Sequence, residues 1–165
     1  MTPAAFLQVI YAPAAHLLYQ IIPPQMNTPL SVQMLMTIAG QESDWSHRLQ
    51  VVNSGPPPAR GFWQFEKGGG VAGVMTHRAS EPYARSLCSA LAIPFQTQAI
   101  HDALAYNDAL ALGFARLLLW TDYRPLSPYP SLALEIYYAT WRPGKPRPKD
   151  WYPNWAAALE VVEVS

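Results

Sequence analysis

Charge is scarce in this chain. Only 13% of its 165 residues are Asp, Glu, Lys or Arg, and eleven of each sign cancel to a formal net charge of zero. That removes the basic surplus with which proteins neutralise phosphates, so no nucleic acid partner is expected. Cysteine is nearly missing. Cys88 stands alone, no internal disulfide can form, and the fold does not depend on an oxidising compartment. Set in Arg85-Ser86-Leu87-Cys88-Ser89-Ala90, it reads as a small buried hydrophobe rather than a nucleophile, which needs a basic partner. There is no His-Glu-x-x-His, no Cys-x-x-Cys and no pair of His four residues apart; His47, His77 and His101 are scattered, and no metal is expected. Lys67-Gly68-Gly69-Gly70 lacks the Gly-x-x-x-x-Gly-Lys order of a phosphate loop and reads as a flexible loop at a cleft edge. No cofactor is implied.

The apolar stretch 4–22 has no Lys or Arg before it and is interrupted by Gln8, Pro13, His16 and Gln20. It fits neither a signal peptide nor a spanning helix, so no stable membrane insertion is expected. The spacing of Phe6, Ile10, Leu17, Leu18 and Ile21 predicts an amphipathic packing helix within 1–27, kinked or split at Pro13, that caps the helix which follows. Proline, by contrast, is plentiful. There are seventeen, most of them between apolar blocks, and they divide the chain into short helices and irregular loops, without internal repeats. Half of the residues are hydrophobic, which suits one domain over 1–165 with a single core, closed by a Pro- and aromatic-rich segment at 142–165.

The organising stretch is 28–65. Thr28 can cap a helix whose first residue, Pro29, gives up an N–H that would be unpaired anyway. Leu30, Val32, Met34, Leu35, Met36, Ile38 and Ala39 make that helix apolar around most of its circumference, as in a buried helix. Glu42 lies near its end, on the face of Leu35, Ile38 and Ala39. A carboxyl at the mouth of a core loses solvation, which raises its pKa into the range of a general acid. The plainer alternative is a helix-end Glu that reaches solvent or pairs with Arg48.

Glu42-Ser43 at a helix end, a polar loop through Asn53-Ser54-Gly55-Pro56-Pro57-Pro58, and then Gly61-Phe62-Trp63-Gln64 resemble the lysozyme-like lytic transglycosylases, whose pattern runs E-S, G-L-M-Q and a later A-Y-N-A-G. The third motif has only a partial counterpart at Ile136-Tyr137-Tyr138-Ala139-Thr140-Trp141, where Ala139 and Trp141 replace Asn and Gly. The resemblance implies a mainly α, lysozyme-like α+β fold: a helical domain with a small β-hairpin or loop lobe beside the helix bearing Glu42. It implies that Glu42 is the sole acid/base in cleavage of the MurNAc-β-1,4-GlcNAc bond of bacterial peptidoglycan. Ser43, Gln64, Trp63, Tyr138 and Trp141 would bind substrate, with Tyr138 beside Glu42.

Other readings stay open. Asp44 or Glu66 would serve as second carboxylate in a hydrolytic lysozyme or chitinase-like glycosidase. A non-catalytic glycan-binding or virion structural domain would need neither. With no export signal evident, the expected setting is a bacteriophage lysis or virion-entry protein. It would wait in the host cytoplasm for holin-dependent release, or travel in the particle, and act at the cell wall.

Val51-Val52 and 62–65 are the candidate strands, 71–78 and 81–91 two short helices, and 96–120 the longest helix, with Ile100, Leu104, Leu110, Phe114, Leu117 and Leu118 turned inward. Ser131 is the expected cap of a further helix through Thr140. The basic, Pro-rich 142–149 is a loop able to touch an anionic polymer. Trp63 and Trp141 are expected in the cleft, Trp120 and Trp155 in the core.

Overall fold

The computed structural model describes residues 1–163. The chain is mainly α with one two-stranded antiparallel sheet, in keeping with a helical domain and a small hairpin.

Helix α3 (Pro29–Ser43) runs through the middle. Its start follows the capping chemistry in full: Thr28 accepts from the Ser31 N–H at 3.1 Å, and the Ser31 hydroxyl accepts in return from the Thr28 N–H at 3.0 Å. Its middle is buried on all sides, polar positions included. Thr37 and Ser43 satisfy their hydroxyls by donating to carbonyls one turn back, at 2.8 and 2.9 Å. Its end is abrupt. Asp44 and Trp45 both adopt left-handed backbone, with φ of 50° and 53°, and Trp45 folds back to donate its indole N–H to the Met36 carbonyl at 2.9 Å. The turn leaves Glu42 in the last helical turn, half-buried.

The N-terminal helix is continuous rather than split. Helix α1 (Pro3–Phe6) passes through a π turn (Leu7–Tyr11) into α2 (Ala12–Ile21), and that wider turn absorbs the N–H missing at Pro13. Its principal neighbour is the helix Asp108–Trp120, followed by Glu81–Ala90 and Pro148–Glu163, rather than α3. Pro3–Ile21 has the length and mean hydropathy of a membrane span, yet Phe6, Ile10 and Leu18 are locked in the core and would be stripped from it on insertion.

The sheet is smaller and later than the sequence predicts: β1 (Ala59–Arg60) pairs with β2 (Phe65–Glu66), Ala59 opposite Glu66 and Arg60 opposite Phe65. Val51 and Val52 form no strand and lie exposed. Residues 61–64 make the turn, with Gly61 at φ 75° and Gln64 at φ 49°. Residues 67–70, expected as a flexible loop, belong to a π turn (Lys67–Val71) feeding α4 (Ala72–Thr76). There Gly70 admits the Phe65 ring where a Cβ would stand 2.6 Å from it.

Helix α5 (Glu81–Ala90) is followed by two helices where one long one is predicted: α6 (Thr97–Ala103) and α7 (Asp108–Trp120). Asn107 causes the break by capping α7, its side-chain oxygen accepting from the Leu110 N–H at 3.0 Å. All six residues expected to turn inward are buried. Helix α8 (Pro130–Trp141) starts two residues earlier than predicted, with Tyr129 rather than Ser131 at the cap position. The C-terminal segment is not only loop: α9 (Pro148–Glu163) packs along α3 more extensively than any other pair of elements. Gln41 joins the two, donating to the Arg147 carbonyl at 2.9 Å and accepting from Asn154 at 3.2 Å.

Gly40 lets the Trp45 ring close the end of α3, since a Cβ there would lie 2.4 Å from the indole. Gly40→Ala is therefore expected to lower stability by about 1–3 kcal/mol, as overpacking does; an unchanged urea midpoint would show that Trp45 does not hold this turn.

Candidate active site

Three elements converge on Glu42. Helix α3 presents the carboxyl, α8 presents Tyr137, and the 61–64 turn presents Gln64. The Tyr137 hydroxyl donates to Glu42 Oε1 at 2.5 Å, while its ring stacks on Trp151 of α9 with centroids 5.2 Å apart. Burial pushes the Glu42 carboxyl up to about 7 from an ordinary 4.5, and nearby Glu66 adds to the rise; the Tyr137 hydrogen bond and the positive charge of Arg147 oppose it. Tyr137 itself is held well above its ordinary range by burial and by the facing carboxylate, so it remains a phenol and a donor. Glu42 is thus an acid half-ionised near neutrality, with one oxygen held.

The carboxyl sits on a divide. A hollow of about 1020 Å³ lies on one side and one of about 380 Å³ on the other, and both are lined by Glu42, Gln50, Gln64, Pro143 and Lys145. With that shared lining they adjoin at the acid, and a polymer lying along both would present an internal bond to Glu42.

The other expected site residues divide. Gln64 lines both hollows, its amide tied to the Gly61 carbonyl at 2.8 Å. Trp141 lines the larger hollow and is oriented by an indole bond to the Trp63 carbonyl at 2.9 Å. Ser43 borders the smaller, with its hydroxyl committed to Ala39. Glu66 is exposed on the larger hollow and Asp44 on the smaller, so the acid and a second carboxylate share each.

Two expectations fail. Trp63 is not in the cleft: it is fully buried, donates to the Leu35 carbonyl at 2.8 Å and packs edge-on against Phe6. Position 63 points inward in the turn, where a large apolar ring gains more from burial than from solvent. Tyr138 is not the neighbour of Glu42 either. Tyr137 holds that place, and one residue of helix turns Tyr138 about 100° away. The clue was present in the sequence, because Ala133, Ile136 and Tyr137 share the buried face of α8 and Trp141 continues it at i+4. Arg48, the plain alternative partner for Glu42, pairs with Asp108 at 2.7 Å instead. Sequence reasoning passed over Gln50, and it named 142–149 as a basic loop able to touch an anionic polymer without placing Lys145 and Arg147 beside Glu42, since nothing local marks a loop residue as facing a distant helix.

No family model, curated protein or solved structure matches the chain. The transglycosylase resemblance therefore rests on its own few residues, and the chemistry of the site on its geometry. Among the described residues no three His, Cys, Asp or Glu are grouped to hold a metal ion. Burial pushes the Cys88 thiol up to about 11, which leaves it inert at neutral pH.

The raised acid has a consequence for stability. Below pH 4.5 Glu42 is protonated in folded and unfolded chains alike; between 4.5 and about 7 only the unfolded chain ionises, so stability falls as pH rises through that window. Glu42→Gln removes the fall, and its advantage in urea unfolding is expected to grow from near zero at pH 4 to about 3 kcal/mol at pH 8. An advantage independent of pH would mean that Glu42 is not desolvated.

Proposed function

We propose that the protein cleaves the β-1,4 bond between N-acetylmuramic acid and N-acetylglucosamine in peptidoglycan strands, with Glu42 as acid and then base. The observation that supports this most is Glu42, whose carboxyl is raised to about 7 and lines both of two adjoining hollows. Tyr137 occupies Oε1 and leaves Oε2 to donate its proton to the leaving glycosidic oxygen. The carboxylate so formed takes the proton of the muramic acid 6-hydroxyl, whose oxygen closes onto the anomeric carbon as a 1,6-anhydro ring. Glu42 ends protonated again, and no protein nucleophile is used. Gln64 and the edge of Trp141 line the path of the sugars, whose C–H faces suit an aromatic wall.

Bacterial peptidoglycan is then the partner, and a phage protein released by a holin or carried in the virion is the setting that fits such an enzyme. Glu66 and Asp44 on the same cleft favour a second reading, hydrolysis with a water held by one of them.

Products decide between the two. Purified protein is expected to release anhydro-muropeptides from peptidoglycan, identified by mass spectrometry, with Glu42→Gln slower by about 10²–10⁴-fold. Reducing-end products would establish the hydrolytic route, and no products from either protein would leave a glycan-binding or structural domain.

The pH profile tests Tyr137. General acid catalysis needs protonated Glu42, so activity is expected to decline above about pH 7. Because the Tyr137 hydrogen bond favours the ionised carboxyl, Tyr137→Phe should move that alkaline limb to higher pH while slowing the reaction about tenfold. A limb that stays in place would separate Tyr137 from the acid.

A further inference from the structure

Residues 142–149 hold four of the chain's eleven Lys and Arg: Arg142, Lys145, Arg147 and Lys149. In a chain this poor in charge, their position counts. Arg142 begins the segment in left-handed backbone, φ 49°, which ends α8 and turns the chain back over the cleft. Arg142 and Lys145 line the larger hollow, Lys145 and Arg147 the smaller, so Lys145 belongs to both.

The three differ in what they already hold. Arg147 is committed: it donates to the Gln41 carbonyl, pairs with Asp150 at 3.3 Å and acts on Glu42. Arg142 makes one hydrogen bond, from Nε to the Ala139 carbonyl at 3.2 Å, and no ion pair. Lys145 has no ion pair or hydrogen bond among the described residues. The acidic groups on the same walls are Glu42 on the divide, Glu66 in the larger hollow and Asp44 in the smaller. With Glu42 protonated, an uncommitted cation faces the cleft on each side of the reacting bond.

Acetamido sugars are uncharged along their backbone and offer such a cation nothing. A muramic acid residue differs, because its 3-O-lactyl branch carries a carboxylate, either its own or that of the peptide attached to it. We propose that Lys145, with Arg142, forms a carboxylate site that reads this branch and so selects charged strands over neutral β-1,4 glycans. The inference rests on the proposed activity for the identity of the glycan, but it concerns binding and is measured apart from turnover.

The test uses Glu42→Gln protein, which holds substrate without cleaving it, with and without Lys145→Gln. Affinity is measured for peptide-bearing strands, for strands stripped of peptide by an amidase, and for a neutral N-acetylglucosamine oligomer. Lys145→Gln is expected to weaken binding of charged strands about tenfold more than of the neutral oligomer, with Lys145→Arg restoring it and added salt removing the difference. Loss on peptide-bearing strands alone assigns the site to the peptide carboxylate, loss on stripped strands alone to the lactyl carboxylate, which is an amide while peptide is attached, and loss on both to whichever carboxylate the branch presents. Equal loss on charged and neutral ligands, no loss at all, or no binding of charged strands by the Lys145 parent overturns the proposal. Charge-dependent binding together with a wild-type protein that releases no products would retain the carboxylate site and remove the enzymatic reading.

Discussion

The contact between Glu42 and Tyr137 is the one on which the site depends. Tyr137 reaches the acid with its hydroxyl and the aromatic wall of α9 with its ring, so a single side chain ties α3, α8 and α9 together at the cleft. Two opposed effects meet there. Desolvation raises the carboxyl toward neutrality, and the phenol keeps it from rising further while fixing one oxygen. An acid held near pH 7 in a defined direction is what proton donation at a glycosidic oxygen requires.

The supporting structure is concerned largely with ending α3 in the right place. Trp45 closing over Gly40, left-handed backbone at two consecutive non-glycine residues, and the Gln41 clamp on α9 all lie within five residues of Glu42. Strained backbone of this sort persists only where its surroundings over-determine it. Here the indole bond to Met36 and burial of the ring supply that constraint. The hairpin has a parallel arrangement. Trp63 anchors the 61–64 turn in the core beneath, and Gln64, again left-handed, is turned into the cleft above.

Charge is distributed with similar economy. Arg48, Arg60, Arg85 and Arg124 are engaged with carboxylates away from the acid, and Arg116 is buried on the Met26 carbonyl, its pKa pushed down to about 10 by that burial. What remains uncommitted is concentrated where the 142–149 segment crosses the cleft. The surface is otherwise quiet, so a few charges there set the field that a ligand meets.

The sequence by itself determined the elements whose causes are local. The Thr28 cap, the buried helix ending at Glu42, the inward faces of α6 and α7 and the helical class all follow from capping chemistry and periodicity, which act over a few residues. Glu42 was legible for the same reason: an acid on the apolar face of a buried helix is a local contradiction. Only the tertiary structure decided that Trp63 is an anchor and Trp141 a wall, that the face of α8 carrying Tyr137 meets the acid, and that α9 lies along α3. Those choices turn on contacts between residues 28 to 106 positions apart, and no local pattern encodes them. The pKa of Glu42 belongs to both. Its helix was written in the sequence, but the desolvation that raises it exists only once α8 and α9 have closed around it.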